Sequence, residues 1–268
     1  MKKLFSLCLA LAGLYIAVIM SLYLFQNTLI FQGKPLHKAY QFDFDQPFEE
    51  LSIPTSDGLT LNALLFKTEK TSRGLVLYFH GNGDNLQRWG KYAPDFTNLD
   101  FDILMVDYRG YGKSTGTPSE SGLYQDALTI HTWAKEHLDF DRLVIYGRSL
   151  GSAVASYLAT QIPADMLILE TPFAEIKDAF YWFLKPAFSI FPMKSTFSNL
   201  SFIQSVTCPV AIFHGTNDWV VPLASAEKLR PLLDSNDRFV IIEGAGHRNL
   251  RHFKAYHDAL GAALEHLP

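Results

Sequence analysis

One serine of this chain stands in a sequence pattern that makes a hydroxyl group reactive. Ser149 lies two residues after Gly147 and two residues before Gly151, with an apolar strand-like run before this segment and a helix-forming run after it. A serine in such a turn takes a strained backbone conformation, and the glycines let strand and helix approach closely while the hydroxyl projects outward. The pattern predicts that Ser149 is a nucleophile, placed at a helix N-terminus that favours developing negative charge.

A serine hydroxyl alone is a weak nucleophile, so this chemistry needs a base and an acid that orients the base. Asp218 stands just after an apolar run that ends at Gly215, and His247 follows the next apolar run. The order serine, aspartate, histidine along the chain fits such a site. We predict that His247 takes the proton from Ser149 and that Asp218 orients His247. Glu170, which ends the apolar run after the Ser149 helix, is the alternative acid.

A glycine-rich turn, His-Gly-Asn-Gly over residues 80–83, ends the first long apolar run. Such a turn at the start of a helix leaves backbone N–H groups free to bind negative charge. We predict that the N–H groups of Asn82 and Leu150 form an oxyanion hole. A purely structural tight turn is the alternative. His80 fits a structural hydrogen-bonding residue under this turn better than a metal ligand.

Several function classes are excluded by what the sequence lacks. No zinc-binding histidine spacing and no nucleotide-binding glycine pattern occurs, so we expect neither a metal nor a cofactor. Lys plus Arg number 23 and Asp plus Glu number 27, and a net charge of −4 offers no positive face for nucleic acid. With only Cys8 and Cys208, the chain has neither a disulfide framework nor a cysteine zinc site.

Apolar runs predict the strands that position these residues. The first two flank Ser-Asp-Gly at 56–58, a turn signal that predicts an antiparallel hairpin. The other six are nearly continuous in apolar character, as strands covered on both faces should be. The predicted strands are 50–54, 59–66, 74–80, 101–107, 142–147, 165–170, 208–215 and 238–244.

Longer segments between these runs predict helices, for example at 119–138, where Leu123, Ala127, Ile130 and Ala134 recur at steps of three and four. The other predicted helices are 85–96, 149–161, 222–233 and 251–267. Alternation of strands and helices predicts an α/β fold: a mostly parallel eight-stranded sheet with an antiparallel N-terminal hairpin and helices on both faces. Ser149, Asp218 and His247 then lie at the carboxyl ends of strands, the edge where open parallel sheets bind ligands.

The N-terminus begins with an apolar run of 22 residues, Leu4 to Phe25, that contains no charge. As a helix it is roughly 33 Å long, enough to cross a bilayer. Lys2 and Lys3 precede it and favour a cytoplasmic N-terminus. We predict a single-pass anchor over residues 1–33 and a catalytic domain over 34–268 on the extracytoplasmic side. A cleaved signal peptide is the alternative, since Ala-Leu-Ala at 10–12 spells a cleavage-type site.

Residues 172–206 form too long a connection for a simple crossover and predict a short cap rich in aromatic side chains. Above a catalytic edge, such side chains can line an acyl pocket or touch lipid. Packing of the cap onto the body is the alternative. These aromatic residues are Phe173, Phe180, Tyr181, Trp182, Phe183, Phe188, Phe191, Phe197 and Phe202.

Together these motifs resemble the α/β-hydrolase superfamily over roughly residues 50–268. The resemblance rests on residues 80–83, 107–112 and 147–151 and on the late Asp218 and His247. With one N-terminal hydrophobic segment, the chain is similar to membrane-anchored α/β-hydrolase domain proteins, some of which remove palmitate from protein cysteines, and to bacterial serine-peptidase-like relatives of the serine aminopeptidase type. The resemblance implies serine hydrolase activity. It disfavours haloalkane dehalogenases and epoxide hydrolases, which use an aspartate where this chain has Ser149.

We therefore expect a serine hydrolase that cleaves carboxylic esters or thioesters with an apolar acyl part through an acyl-enzyme. Its partners would be a small or lipid-like acyl substrate, or an acylated protein, and the membrane; the sequence does not indicate an oligomeric state. A serine peptidase with the same triad is the alternative, and the carboxylates available in the cap to bind a substrate amine are Glu175 and Asp178. A non-catalytic binding module is a third reading.

Overall fold

A computed structural model describes residues 2–179, 193–265 and 267 of the chain. One eight-stranded sheet organises them. Its strands are β1 (Phe48–Pro54), β2 (Thr60–Phe66), β3 (Leu75–Phe79), β4 (Asp102–Val106), β5 (Leu143–Arg148), β6 (Met166–Glu170), β7 (Val210–Gly215) and β8 (Arg238–Ile242). The order across the sheet is β1-β2-β4-β3-β5-β6-β7-β8. β2 runs antiparallel to β1 and β4, and all other neighbours are parallel.

The eight predicted strands are all present, and each end agrees with the prediction to within two residues. Every residue of β3, β5, β6 and β7 is buried. Continuous apolar runs are the sequence signature of strands covered on both faces, because neither face needs polar side chains. The predicted α/β fold, with its mostly parallel sheet and N-terminal antiparallel hairpin, is therefore confirmed.

Helices cover both faces of this sheet. The α-helices of the described residues are α1 (Lys2–Ile30), α2 (Leu86–Trp89), α3 (Pro94–Thr97), α4 (Glu120–His137), α5 (Leu150–Gln161), α6 (Asn199–Ile203), α7 (Leu223–Ala226) and α8 (Lys254–Glu265). The helices that cover the sheet come after α1. Successive residues of a strand point to opposite faces, so Leu77 packs with α4 and α5, whereas Val76 and Tyr78 pack with α2, α3 and α8. The sheet is thus the middle layer of three.

Two predicted helices are interrupted in the structure. The segment predicted as one helix at 85–96 is divided into α2, a 3-10 turn at Gly90–Tyr92 and α3. Pro94 has no N–H to bond the carbonyl four residues back, so a continuous helix cannot pass it. In the segment predicted as 222–233, α7 gives way to a 3-10 helix at Glu227–Leu232 that contains Pro231.

The predicted C-terminal helix at 251–267 begins later than expected. A 3-10 turn at Leu250–His252 comes first, and α8 starts at Lys254. The helix predicted from residue 149 starts one residue later, at Leu150, because Ser149 itself is not helical.

The N-terminal helix α1 extends five residues past the apolar run that predicted it. Within the described residues, one helical stretch, Lys3–Thr28, is long and apolar enough to cross a membrane, as judged by length and composition. Most of its described large apolar side chains are exposed, whereas Ile30 and Phe31 at its carboxyl end are buried against the body. The end of α1 is therefore packed onto the domain that holds the sheet.

The predicted cap at 172–206 is described in two pieces. A 3-10 turn at Ile176–Ala179 follows β6, and α6 precedes β7. Of the aromatic residues predicted there, Phe173 and Phe197 are fully buried in the main core, and Phe202 packs on the rings of Tyr124 and Tyr157. These three contact the body. The other six lie at 180–191, outside the described residues.

Candidate active site

Ser149 occupies a strained turn between β5 and α5. Its φ is 50° and its ψ is −114°, a left-handed conformation that non-glycine residues rarely adopt. A Cβ on Gly151 would lie 2.1 Å from the carbonyl oxygen of Phe79, and one on Gly147 would lie 2.4 Å from that of Gly151. Both glycines are therefore required by close backbone packing, as the spacing around Ser149 predicts.

The structure brings Ser149, His247 and Asp218 into one hydrogen-bonded line. His247 Nε2 lies 3.0 Å from Ser149 Oγ, and His247 Nδ1 lies 2.8 Å from Asp218 Oδ2. A carboxylate can only accept, so His247 Nδ1–H donates to Asp218 and leaves Nε2 as the acceptor for the serine proton. Both distances lie within the range of a nucleophile, base and orienting acid.

The carboxylate of Asp218 is held by further donors in its own loop. Asp218 Oδ1 accepts the backbone N–H groups of Val220 at 2.9 Å and Val221 at 2.8 Å. His214 Nε2 lies 3.7 Å from Oδ2. Burial lowers the pKa of His214, and the carboxylate of Asp218 opposes that shift. Asp218 thus presents Oδ2 to His247 from a fixed position.

Glu170, the alternative acid, lies in a different network. Its carboxylate accepts a short hydrogen bond from the hydroxyl of Tyr146, and Arg148 Nη1 lies 3.3 Å from its Oε1. It is almost fully buried, with 1% exposed surface. The structure therefore brings Asp218, and not Glu170, to the imidazole of His247.

Arg148 is a residue of this site that sequence reasoning missed. Its Nη2 donates to the backbone carbonyl of His247 at 2.7 Å. Its guanidinium lies over the rings of Tyr92 and Trp89, at 4.9 and 5.3 Å from their centroids. A charged residue at the end of an otherwise apolar strand is the signal that could have pointed to it, because a buried charge needs partners, but that signal does not say which atoms it contacts.

The predicted oxyanion turn lies against the turn that holds Ser149. A Cβ on Gly81 would be 3.6 Å from the carbonyl oxygen of Arg148. Leu150 is the first residue of α5, where an N–H group has no partner within its own helix. The side chain of Asn82 does not enter this space; it bonds the backbone at Ile30. Asn82 can thus offer its N–H to a substrate while its side chain is bound elsewhere.

His80 is a buried structural residue, as expected. Its Nδ1 donates to the carbonyl of Gly81 at 2.7 Å, its Nε2 lies 3.4 Å from Asp107 Oδ1, and its ring stacks on Trp89. Burial raises the pKa of Asp107, although His80 opposes that rise. Across the described ranges, no cluster of three or more His, Cys, Asp or Glu side chains has the arrangement of a metal site.

The acidic side chains at the start of the cap are engaged in ion pairs. Glu175 pairs with Lys177 at 2.7 Å, and Asp178 accepts Lys228 Nζ and Ser225 Oγ, each at 2.8 Å. Both carboxylates thus already have lysine partners, which the amino group of a peptide would have to displace. These contacts give no support to the peptidase alternative.

The sequence is similar to that of known lipases and related proteins. A family model described as alpha/beta hydrolase fold matches residues 74–188. The chain is 33% identical over 190 residues to lysophosphatidylserine lipase ABHD12 of Danio rerio, covering 62% of this chain and 49% of that protein. It therefore spans about half the length of that relative. It is also 33% identical over 216 residues to protein bem46 of Schizosaccharomyces pombe, covering 75% of this chain and 72% of the relative.

A solved structure supports the same architecture. The esterase Pf2001 of Pyrococcus furiosus superposes with a TM-score of 0.70 over 89% of this chain and 98% of its own. The two sequences are only 17% identical, so this likeness concerns the fold.

Proposed function

Because this chain belongs to the α/β-hydrolase superfamily, we propose that it is a serine hydrolase that cleaves carboxylic esters or thioesters with an apolar acyl part. The hydrogen-bonded line of Ser149, His247 and Asp218 carries this proposal. A binding module without catalysis has no need of such a line at a strained serine. Membership of this superfamily and the similarity to a lipase support hydrolase chemistry.

The proposed reaction follows from the direction of these hydrogen bonds. Ser149 Oγ attacks the acyl carbon while His247 Nε2 takes its proton, and Asp218 stabilises the imidazolium that forms. The N–H groups of Asn82 and Leu150 bind the oxyanion of the tetrahedral intermediate. The proton on His247 then goes to the departing alcohol or thiol, which leaves an acyl-enzyme on Ser149. Water, deprotonated by His247, releases the carboxylic acid by the same steps and restores the serine.

A lipid-like acyl ester is the proposed substrate class. The relative from Danio rerio is named as a lipase for lysophosphatidylserine, an acyl ester with one apolar chain. A thioester on an acylated protein presents the same acyl carbon and remains a second substrate class within this proposal. The carboxylates of Glu175 and Asp178 are each paired with a lysine, and this argues against peptides as the substrate class.

We also propose that α1 anchors the protein in a membrane, with the catalytic domain on the extracytoplasmic side. The length and apolar character of Lys3–Thr28 support the anchor, and the lysines before the run support the orientation. A C-terminal reporter that is active only outside the cytoplasm tests the orientation. Reporter activity confined to the cytoplasm would overturn it.

Labelling by a fluorophosphonate probe tests the proposed chemistry. The full chain, purified in detergent, should react with the probe, and Ser149→Ala should not. Ser121→Ala is the matched control, because Ser121 is exposed on α4. Turnover of p-nitrophenyl acyl esters in excess of aminoacyl anilides would support an esterase. A folded protein that neither labels nor turns over esters would refute the proposal, and a preference for the anilides would favour the peptidase.

A further inference from the structure

The carboxyl end of α1 is capped by a side chain from the predicted oxyanion turn. Asn82 Nδ2 donates to the carbonyl oxygen of Ile30 at 2.5 Å, and the N–H of Gln32 donates to Asn82 Oδ1 at 3.0 Å. Ile30 is the last residue of α1, and the last four carbonyls of a helix have no partner within it. Asn82 therefore supplies a C-cap to a helix that ends 52 residues earlier in the chain.

The segment after α1 is fixed to the body by several other contacts. The ring of Phe31 packs edge-on against that of Phe197, with centroids 6.0 Å apart. The N–H of Lys34 donates to the carbonyl of Asp84, and the N–H of Gly112 donates to the carbonyl of Lys34, each at 3.1 Å. The end of α1 thus cannot move without disturbing the loops after β3 and β4.

The oxyanion turn needs an external support. Gly81 and Gly83 flank Asn82, and Gly83 and Asp84 both have positive φ, at 86° and 57°. Glycines restrict the backbone little. The carbonyl of Gly81 accepts from His80 Nδ1 at 2.7 Å and that of Gly83 accepts from Trp89 Nε1 at 3.0 Å, but neither contact restrains the Asn82 N–H itself. The side chain of Asn82, held by α1 on one side and by the hydroxyl of Tyr111 at 2.9 Å on the other, supplies that restraint.

We propose that the end of α1 positions the oxyanion hole through the side chain of Asn82. This inference rests on the proposed function, and it gives α1 a positioning role at the site. An oxyanion donor acts only if it is held in place before the reaction, and its effect is confined to the transition state. Loss of the contact should therefore lower kcat and leave KM nearly unchanged. If α1 served only as a tether, loss of this contact would change neither kcat nor KM.

Two variants of the full chain test this coupling from opposite sides. Asn82→Ala keeps the backbone N–H and removes the cap, and we expect kcat to fall about 10- to 100-fold, with KM within about twofold of wild type. Phe31→Ala loosens the end of α1 and leaves Asn82 intact, and we expect a smaller fall in kcat. Tyr111→Phe removes one hydrogen bond to Asn82, and it replaces either variant if that variant fails to fold. Detergent-solubilised protein and a short, water-soluble p-nitrophenyl ester keep membrane partition out of the measurement.

The double variant shows whether the two residues act together. If α1 works through Asn82, Phe31→Ala should lower kcat little further in the Asn82→Ala background. Asn98→Ala is the matched control, because Asn98 is exposed and lies before the amino end of β4, on the side of the sheet opposite to Ser149. A wild-type kcat in Asn82→Ala would overturn the inference. So would a double variant whose fall in kcat equals the product of the two single falls, because the residues would then act independently. A wild-type chain that neither turns over esters nor labels would overturn the proposed function, and this inference with it.

Discussion

Arg148 donates a hydrogen bond from Nη2 to the backbone carbonyl of His247. This contact joins the strand end that precedes Ser149 to the loop that carries His247. Burial disfavours the charged guanidinium, but the carboxylate of Glu170 and the hydroxyls of Tyr78, Tyr92 and Tyr146 together outweigh it, and the pKa of Arg148 lies above its ordinary value. The buried cation thus sets the distance between the two loops.

Arg148→Lys should lower kcat about 10-fold and leave KM largely unchanged. Lysine keeps the charge but lacks the planar fork that reaches His247 and Glu170 together, and it stacks poorly on Trp89 and Tyr92. Steady-state kinetics with a soluble ester measure the effect. Arg142→Lys, at the opposite end of β5, should behave as wild type. Full activity in Arg148→Lys would show that the loop of His247 does not need this contact.

Asp218→Asn should lower kcat by about 10³- to 10⁴-fold, because an amide favours the wrong tautomer of His247 and cannot stabilise its cation. Glu170→Gln should change kcat less than about tenfold and act mainly on stability, since Glu170 is bound to Tyr146 and Arg148. Comparison of kcat for the two variants decides which residue is the acid. The reverse ranking would assign the role to Glu170.

Gly151→Ala should lower the midpoint of thermal unfolding by several degrees or prevent folding, because its Cβ would lie 2.1 Å from a backbone oxygen of β3. Gly261→Ala is the matched control in α8, where the nearest atom to a new Cβ lies 3.8 Å away, on the side chain of Leu99. Alanine stabilises a helix by up to about 1 kcal/mol relative to glycine, so this variant should unfold at the same or a higher temperature. Equal effects of the two substitutions would contradict the close packing around Ser149.

The contribution of buried histidines to stability should fall as pH is lowered below about 6.5. Burial lowers the pKa of His214 in the folded chain, with the Asp218 carboxylate opposing this shift, so the unfolded chain takes up a proton there first. The unfolded state binds more protons in that window, and stability is lost as pH falls. Burial and Lys135 also lower the pKa of His131, which adds to the same trend.

Substitution separates the contribution of His214. In His214→Gln, the fall in the unfolding midpoint between about pH 7 and pH 5 should be smaller than in wild type. His252→Gln, at an exposed position, should keep the full fall. An unchanged pH dependence in His214→Gln would mean that this ring titrates alike in the folded and unfolded chain.

The fold was predictable because the information lies within short stretches of sequence. Continuous apolar runs predicted buried parallel strands, and the glycines around Ser149 predicted a tight strand-to-helix turn. With chain order, those strands predicted that Asp218 and His247 meet Ser149 at one edge, and the structure brings the three together. Helix boundaries were less predictable, since one proline, Pro94, divides a segment that otherwise has helical character.

The supports of the site were not predictable from local sequence. Arg148 contacts a carbonyl 99 residues later, and Asn82 contacts a carbonyl 52 residues earlier. No periodicity or spacing encodes such contacts, because they depend on how loops from distant parts of the chain approach each other. Sequence reasoning therefore predicted Asn82 for its backbone N–H and gave no indication of the role of its side chain.

The left-handed backbone of Ser149 bears on how this chain can change over evolution. Glycine would adopt that conformation with less strain, so selection for stability alone would favour replacing the serine. Under the proposed function, activity requires a serine at φ 50° while stability favours glycine, so the two requirements oppose each other at this one residue. A lineage that no longer needed the reaction would be expected to lose the hydroxyl here early, and to gain stability as it did so.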